Sequence, residues 1–222
     1  MMLRHGSAAP ILIVILFVLI CVGAGIVAIV MSSGEEQLPE DPNAAALAEV
    51  MAEMTIPSFE AVNQNGDAIT RDTFLGQHTI LSFGFTYCTT VCPIMHGQMY
   101  RLQEALAQTP ARFMLFSVDP QHDTPERLRE YAEQLGADTA RWDFIVADID
   151  TLHAILIEGL GFALDDDPTV TIQLPDGSTM NNISHPSRFL LVGPEGNIID
   201  MCRGTDPTEV DRFGSDLVRR LR

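Results

Sequence analysis

The chain has 222 residues, of which 30 are acidic and 13 basic, so its formal net charge is −17 with histidine neutral. This charge repels phosphate backbones, and the arginines, which supply every basic group, do not gather into a basic face. Composition therefore argues against a nucleic-acid-binding protein. The hydrophobic fraction of 46% is ordinary for a globular protein, but the apolar residues are unevenly distributed along the chain.

The first distinctive segment is an apolar run over residues 11–31, which contains no charge, amide or hydroxyl. As a helix it would be about 30 Å long, the thickness of a bilayer's hydrocarbon core. It predicts a transmembrane anchor. A cleaved signal peptide is the alternative, but the run is longer than usual for one and lacks a small-x-small cleavage site. Arg4 precedes the run and acidic residues follow it, which predicts a cytoplasmic segment at residues 1–10 and translocation of the rest.

Residues 32–57 are predicted to be a linker, because Ser, Gly, Glu, Pro and Ala dominate them, with a short helix over residues 44–54. Residues 58–222 then form one predicted domain, since roughly 165 residues are enough for a single adequate core. This domain opens with two short strand patterns around an Asn-Gly turn within residues 59–70, which predicts a hairpin.

Strand and helix patterns alternate after the hairpin. The segment Thr124-Pro125-Glu126 supplies an N-cap, a first-turn proline and a first-turn acid, and predicts a helix that stops near Gly136. A further helix is predicted over residues 151–160. Buried strands are predicted at residues 79–85, 112–118 and 143–147, from their nearly continuous apolar runs.

The C-terminal part has a different pattern. Apolar and polar residues alternate over residues 169–174, and a Pro-Asp-Gly turn follows at residues 175–177. Residues 188–192 are apolar, and a second turn leads into residues 198–201. Together these patterns indicate antiparallel hairpins. A terminal helix is predicted from about Thr208. Strands alternating with helices, followed by a hairpin and a terminal helix, predict an α/β sandwich with a mixed central sheet, the order of thioredoxin-like folds.

The chemically distinctive residues are Cys88 and Cys92, which lie where a buried strand ends and a helix begins. If both lie in or near the first helical turn, their sulfurs can converge on one ion or form one disulfide. A helix N-terminus favours the thiolate, the form that binds soft metals and attacks disulfides. A purely structural disulfide is the alternative. A structural zinc site is less favoured, because it would need Cys202 from a distant strand, and Cys202 is better explained as a small buried hydrophobe.

His185 lies in a loop just before the predicted strand at residues 188–192. A lone loop histidine is usually only solvated, but in a thioredoxin-like layout this loop faces the turn that carries the cysteines. Two thiolates and one imidazole suit Cu(I) in trigonal geometry, and also Cu(II) when a further group completes the set.

Four motifs carry a family resemblance: Cys-x-x-x-Cys-Pro at residues 88–93, Ser-Val-Asp-Pro with a following Asp-Thr-Pro-Glu at residues 117–126, the isolated His185, and Pro-Glu-Gly-Asn at residues 194–197. With the N-terminal apolar run, they resemble the SCO/SenC copper proteins that serve assembly of cytochrome c oxidase. The resemblance implies a membrane-anchored thioredoxin-like domain that binds copper, as Cu(I), Cu(II) or both, through Cys88, Cys92 and His185.

The resemblance also implies partners and a location. The expected partner is cytochrome c oxidase subunit II, whose dinuclear copper site the protein would supply or prepare; other copper chaperones and thioredoxin-like reductants are further expected partners. The expected location is the bacterial inner membrane with the domain in the periplasm, or the mitochondrial inner membrane facing the intermembrane space if the source is eukaryotic.

Two residues beside His185 depart from the family pattern, which commonly has an aspartate before the histidine and a hydroxyl residue after it. Here these positions are Ser184 and Pro186. A carboxylate would orient the imidazole and raise its basicity, so its absence bears on the tautomer and on copper affinity. Pro186 removes a backbone donor and restricts the loop.

These residues leave three functional hypotheses. The first is a non-enzymatic metallochaperone that holds copper and passes it on by ligand exchange. The second is a thiol-disulfide oxidoreductase that uses Cys88 and Cys92 to reduce the cysteines of a copper-accepting partner; His185 separates the two, because dithiol exchange can proceed without it. Peroxide reduction is a distant third, since Thr89-x-x-Cys92 has peroxiredoxin spacing but Phe85 replaces the upstream proline.

The remaining candidates are interpreted structurally. Met95 and Met99, with His96 between them, could form a thioether path for copper, but core packing is favoured. Asp119 is either a turn-forming residue or a hydrogen-bond partner of the thiol region. Residues 165–167, three aspartates before a proline, are predicted to be a solvated turn. The histidines expected to be solvated or hydrogen-bonded are His78, His122 and His153.

Overall fold

The computed structural model describes residues 44–221, and the predicted membrane span lies outside them. Within residues 44–221 no helix combines the length and the apolar character needed to cross a bilayer. The predicted short helix is present as α1 (Ala44–Glu53). Met54 and Ile56 are buried in the core, and Thr55 forms a β-bridge with Asn197. The packed domain therefore includes residues that precede position 58.

Nine strands occur in residues 44–221. In chain order they are β1 (Glu60–Asn63), β2 (Ala68–Thr70), β3 (Thr79–Gly84), β4 (Arg112–Ser117), β5 (Trp142–Val146), β6 (Asp165–Gln173), β7 (Thr179–Ser184), β8 (Arg188–Val192) and β9 (Ile198–Arg203). Seven form one sheet in the order β2-β1-β5-β4-β3-β8-β9, and β6 pairs with β7 separately. β3, β4 and β5 are parallel neighbours, whereas β8 is antiparallel to β3. The predicted mixed central sheet is confirmed.

The helices follow the strands as expected for an α/β fold. They are α2 (Cys92–Ala105), α3 (Pro125–Leu135), α4 (Ile149–His153), which continues as a π-helix over Ala154–Gly159, and α5 (Pro207–Arg220), with a short 3₁₀ helix at Arg71–Phe74. Thr124 caps α3 and Gly136 ends it with φ +66°, as predicted. The helix predicted over residues 151–160 begins earlier, at Ile149, because the Asp148 carboxylate accepts the Thr151 N–H at 2.8 Å.

Both faces of the central sheet are buried. Along β3, Ile80 packs into one apolar cluster and Leu81 into the other, as the alternation of side chains in a strand requires. The cluster that contains Ile80 is covered by α2 and α5, and the cluster that contains Leu81 is covered by Phe59, Phe74 and the α4 segment. Burial on both faces explains the nearly continuous apolar runs of the central strands. The burial of both sheet faces confirms the predicted α/β sandwich.

One predicted turn is in fact part of a strand. Asp165, Asp166 and Asp167 lie in β6 and pair with β7, and the register shifts between Asp167 and Thr171, where Pro168 is located. A proline fits there because a bulge needs no regular backbone donor at every position. The charge run was misleading because an exposed two-stranded ribbon solvates carboxylates as well as a turn does.

Candidate metal centre

The two cysteines lie on either side of the start of α2. Cys92 is the first residue of the helix, whereas Cys88 lies in the loop that follows β3, so only Cys92 belongs to the first helical turn. Their side chains are buried, and both cysteines are free thiols. The Cys92 backbone N–H donates to Cys88 Sγ at 3.5 Å, so the helix N-terminus stabilises the sulfur that precedes it.

His185 reaches the cysteines from the loop between β7 and β8. Its Nε2 atom lies 3.3 Å from Cys92 Sγ, and its ring packs edge-on against Phe85 at 6.1 Å between centroids. On the other side of the ring, Nδ1 lies 3.3 Å from the Pro186 carbonyl oxygen. A carbonyl only accepts, so Nδ1 carries the proton and Nε2 keeps a lone pair for a metal. Pro186 thus orients the imidazole in this chain, where Ser184 offers no carboxylate.

Cys88, Cys92 and His185 form a compact donor set. One ligand atom from each lies within 4.8 Å of the other two, and in residues 44–221 they are the one group of three or more His, Cys, Asp or Glu residues with this property. Cys202 is outside the group, buried, with its pKa raised to about 12 chiefly by burial, as expected for a structural cysteine. Two sulfurs and an imidazole nitrogen fit a soft metal such as copper.

The pKa values of the two thiols are shifted in opposite directions. The pKa of Cys88 is lowered to about 3, chiefly because the Cys92 side chain donates a hydrogen bond to it, with smaller contributions from His185, Thr90 and the Cys92 backbone; burial opposes this shift. The pKa of Cys92 is raised, first by that same hydrogen bond and then by burial. Cys88 is therefore the thiolate of the metal-free pair and Cys92 its proton donor.

A buried carboxylate holds the loop that carries Cys88. Asp123 accepts hydrogen bonds from the Thr86 N–H at 3.2 Å, the Thr86 hydroxyl at 2.6 Å and the Ser117 hydroxyl at 2.5 Å, and burial raises its pKa. It thereby joins the end of β3 to the end of β4. Arg127 donates to Thr86 Oγ1 at 3.1 Å and lies 4.6 Å from the centre of the Tyr87 ring.

Of the two roles considered for Asp119, the structure shows the turn-forming one, since its carbonyl oxygen accepts the His122 N–H at 3.3 Å. Its carboxylate pairs with His122 Nδ1 at 2.8 Å, and Asp123, four residues later, supports the cysteine loop instead. Asp123 belongs to the Asp-Thr-Pro-Glu motif, but Asp119 is buried as well, and the motif alone does not show which of the two carboxylates reaches the cysteine loop. His122 is hydrogen-bonded, as expected.

His96 is a neighbour of the site that the sequence analysis named only for its place between Met95 and Met99. It is 1% exposed, and its Nδ1 lies 2.6 Å from the Tyr131 hydroxyl. Burial, first among the causes, lowers the His96 pKa to about 4, so the ring is neutral at physiological pH. Met95 and Met99 are fully buried in the core, which confirms their packing role. Tyr131 is 35 positions away, and no local pattern links the two residues.

Comparison with known proteins decides the family. A family model described as SCO1/SenC matches residues 48–213 of the chain. The chain belongs to the SCO1/SenC family. Among curated SCO1/SenC relatives, the SCO1 protein homolog of Bacillus subtilis (strain 168) is 30% identical over 164 residues, which cover 73% of this chain and 80% of the relative.

Solved structures of SCO proteins share the fold. ScoI of Bradyrhizobium japonicum, solved with copper bound, aligns with a TM-score of 0.60 and 21% identity over 74% of this chain and 98% of that one. BsSco, described as a member of the Sco family of cytochrome c oxidase assembly proteins in which a disulfide switch was identified, aligns with a TM-score of 0.60 and 26% identity over 75% and 93%. This SCO1/SenC chain therefore has the thioredoxin-like architecture of its family.

Proposed function

We propose that this chain is a copper metallochaperone in which Cys88, Cys92 and His185 bind copper, and that it supplies or prepares the dinuclear copper site of cytochrome c oxidase subunit II. The observation that carries the proposal is the convergence of the three ligand atoms within 4.8 Å of one another. The donor set fits copper, a relative is solved with copper bound, and another is described as an oxidase assembly protein.

The burial of the ligands indicates how copper leaves. His185 is partly exposed and Cys88 is 6% exposed, whereas Cys92 is completely buried at the start of α2. Thiolates of an acceptor therefore approach from the side of Cys88 and His185 and replace these ligands one at a time, with Cys92 releasing copper last. Ligand exchange of this kind needs no change in the oxidation state of the metal.

Copper stoichiometry and affinity of the full-length chain with reduced thiols test the proposal. We expect one copper per chain, and a loss of affinity of more than about tenfold in Cys88→Ala, Cys92→Ala and His185→Ala, because even an outer-shell partner contributes that much. Cys202→Ala is the matched control, since Cys202 lies outside the donor set and its loss leaves copper binding unchanged. Unchanged affinity in His185→Ala would overturn the three-ligand site.

One observation favours a second function, thiol-disulfide exchange. The Cys88 thiolate, stabilised by Cys92, would attack a partner's disulfide and expel one partner thiolate; Cys92 would then attack the mixed disulfide, leaving a Cys88–Cys92 disulfide and two reduced partner thiols. Negligible copper binding together with a readily reduced Cys88–Cys92 disulfide would establish this alternative. Retention of partner reduction in His185→Ala would point the same way.

We also propose that residues 11–31 anchor the protein in the membrane, with the domain in the bacterial periplasm or, in a eukaryote, in the mitochondrial intermembrane space. The apolar run supports this location, which would place the copper site beside a membrane-bound acceptor. Deletion of residues 1–31 then moves the chain from the membrane fraction to the soluble fraction. A chain that is soluble with residues 1–31 intact would contradict the anchor.

A further inference from the structure

His96 has a polar atom that its protein surroundings leave unpaired. The side chain is 1% exposed, Nδ1 is hydrogen-bonded to Tyr131, and Nε2 has no hydrogen-bond partner in residues 44–221. Buried polar atoms in native proteins are nearly always paired, so an unpaired nitrogen beside a proposed metal site calls for a partner.

The position of Nε2 points to Cys92 as that partner. A Cβ atom built on Gly84, at the end of β3, would lie 3.1 Å from His96 Nε2 and 3.1 Å from Cys92 Sγ. The nitrogen and the sulfur therefore face the same small space above the glycine backbone, which a methyl group would fill. Cys92 and His96 are also four residues apart on α2, so the helix presents them on one side.

The Tyr131 contact determines which proton His96 offers. If the phenol O–H donates to Nδ1, the neutral ring carries its proton on Nε2 and one N–H faces Cys92. If Nδ1 donated instead, both the phenol hydrogen and the Nε2 lone pair would lack partners among the described residues. The first arrangement leaves fewer groups unpaired and is favoured.

We infer that His96 is a positioning residue of the copper site: its Nε2–H donates a hydrogen bond to the Cys92 thiolate, and Tyr131 holds the ring in the orientation and tautomer that this requires. The inference rests on the proposed function, since copper binding makes Cys92 a thiolate. His96 acts on the sulfur and is not itself a ligand, because it lies outside the group of ligand atoms within 4.8 Å of one another. Hydrogen bonds to a metal-bound sulfur tune the metal's affinity and potential.

The test uses the full-length chain loaded with Cu(II), with the thiolate-to-copper charge-transfer band and the copper affinity as readouts. His96→Leu is expected to lower affinity by about tenfold to a hundredfold and to move the band to lower energy, because a thiolate without a donor is more electron-rich. Tyr131→Phe keeps His96 and is expected to move the band in the same direction by less. His78→Leu, at the opposite end of β3, is the matched control and leaves both readouts unchanged.

Four results would overturn the inference. A folded His96→Leu protein with wild-type band and affinity would show that His96 only fills space, and a lower unfolding midpoint without a band shift would show the same. Loss of a second nitrogen's hyperfine coupling in the electron paramagnetic resonance spectrum of His96→Leu would make His96 a ligand. If His96→Leu does not fold, an unshifted band in Tyr131→Phe decides against the inference. A wild-type chain that binds no copper would be recognised separately, as failure of the proposed function.

Discussion

Cys88 and Cys92 bring the same chemical group to the site but hold it differently. Cys88 lies in a loop and receives hydrogen bonds from the Cys92 side chain and the first amide of α2, while Cys92 is fully enclosed and has no exposed surface. The outer sulfur is consequently charged in the metal-free chain, and in the proposed copper site the inner sulfur would lose its proton when the metal binds. A metal can therefore be captured by Cys88 first.

The ionisation of Cys88 can be measured directly. Because its pKa is lowered to about 3, the reduced, metal-free chain is expected to keep one thiolate absorbance in the ultraviolet down to about pH 5, where an ordinary cysteine is fully protonated. Acid titration of that absorbance in the wild type is the measurement, and Cys88→Ser should lose the signal. A signal that disappears between about pH 9 and pH 8 would show that the hydrogen bond from Cys92 does not stabilise the thiolate.

Sequence reasoning at this scale identified the three residues that the structure brings together, but not the groups that support them. Cys88 and Cys92 share a short motif, and the strand order of the fold indicates that His185 faces them. The contact between His96 and Tyr131 and the carbonyl of Pro186 depend on side-chain direction and loop conformation, which spacing along the chain does not encode. The sequence shows that no carboxylate precedes His185. Only the structure shows that the Pro186 carbonyl oxygen takes its place beside Nδ1.

At the scale of elements, the site depends on how closely β3 approaches α2. Gly84 ends β3, and a Cβ there would lie 3.1 Å from both Cys92 Sγ and His96 Nε2, so one of these side chains would have to shift by a few tenths of an ångström. Gly97 lies on the exposed face of α2, with open space around the position of its missing Cβ. The two glycines therefore have different structural roles. Gly84 allows close approach, and Gly97 only lowers the helix propensity.

An alanine at each position distinguishes the two roles. Gly84→Ala is expected to cost about 1–3 kcal/mol of unfolding free energy through overpacking and to weaken copper binding, because its Cβ displaces Cys92 Sγ or His96 Nε2. Gly97→Ala, the matched control, is expected to stabilise the chain by up to about 1 kcal/mol and leave copper binding intact. Urea unfolding and copper titration measure both. Equal effects of the two substitutions would refute the close-approach role of Gly84.

Most elements were predicted, including the β1–β2 hairpin and the β8–β9 pair, whereas the first part of β6 and all of β7 were not. The cap Thr124 and the terminal Gly136 bound α3 by short-range chemistry. By contrast, the alternating pattern begins only at residue 169, and β6 extends back to Asp165 because β7 pairs with the three aspartates. Pairing between exposed strands leaves little trace in composition.

At the scale of the whole molecule, the buried neutral His96 makes the stability of the fold depend on pH. Its pKa of about 4 lies below the ordinary value of 6.5, so the unfolded chain binds a proton more readily than the folded chain as the pH falls. The contribution of His96 to the free energy of unfolding is fully present above about pH 6.5 and is lost as the pH falls towards about 4. Acid therefore favours unfolding through this one side chain in addition to the carboxylates.

The comparison of wild type with His96→Leu isolates this effect. The difference in unfolding free energy between them is expected to change by about 3 kcal/mol from pH 7 to pH 4, with the wild type losing more, because leucine binds no proton. Denaturant titrations across this range measure it, and His78→Leu serves as the control for removal of a partly exposed histidine. A difference that stayed constant with pH would mean that His96 is as easily protonated in the folded chain as in the unfolded one.

The pairing of β8 with β3 limits where residues can be inserted into this chain or deleted from it. Leu190 faces Leu81 in that antiparallel pair, and His185 precedes β8 by only three positions. One residue inserted after His185 would either move the imidazole by about 3.4 Å or turn every side chain of β8 to the opposite face. The turn at residues 174–178 lies on the separate β6–β7 ribbon and has no such constraint. Insertions and deletions can therefore accumulate at the hairpin tip, while the interval from histidine to strand keeps its length.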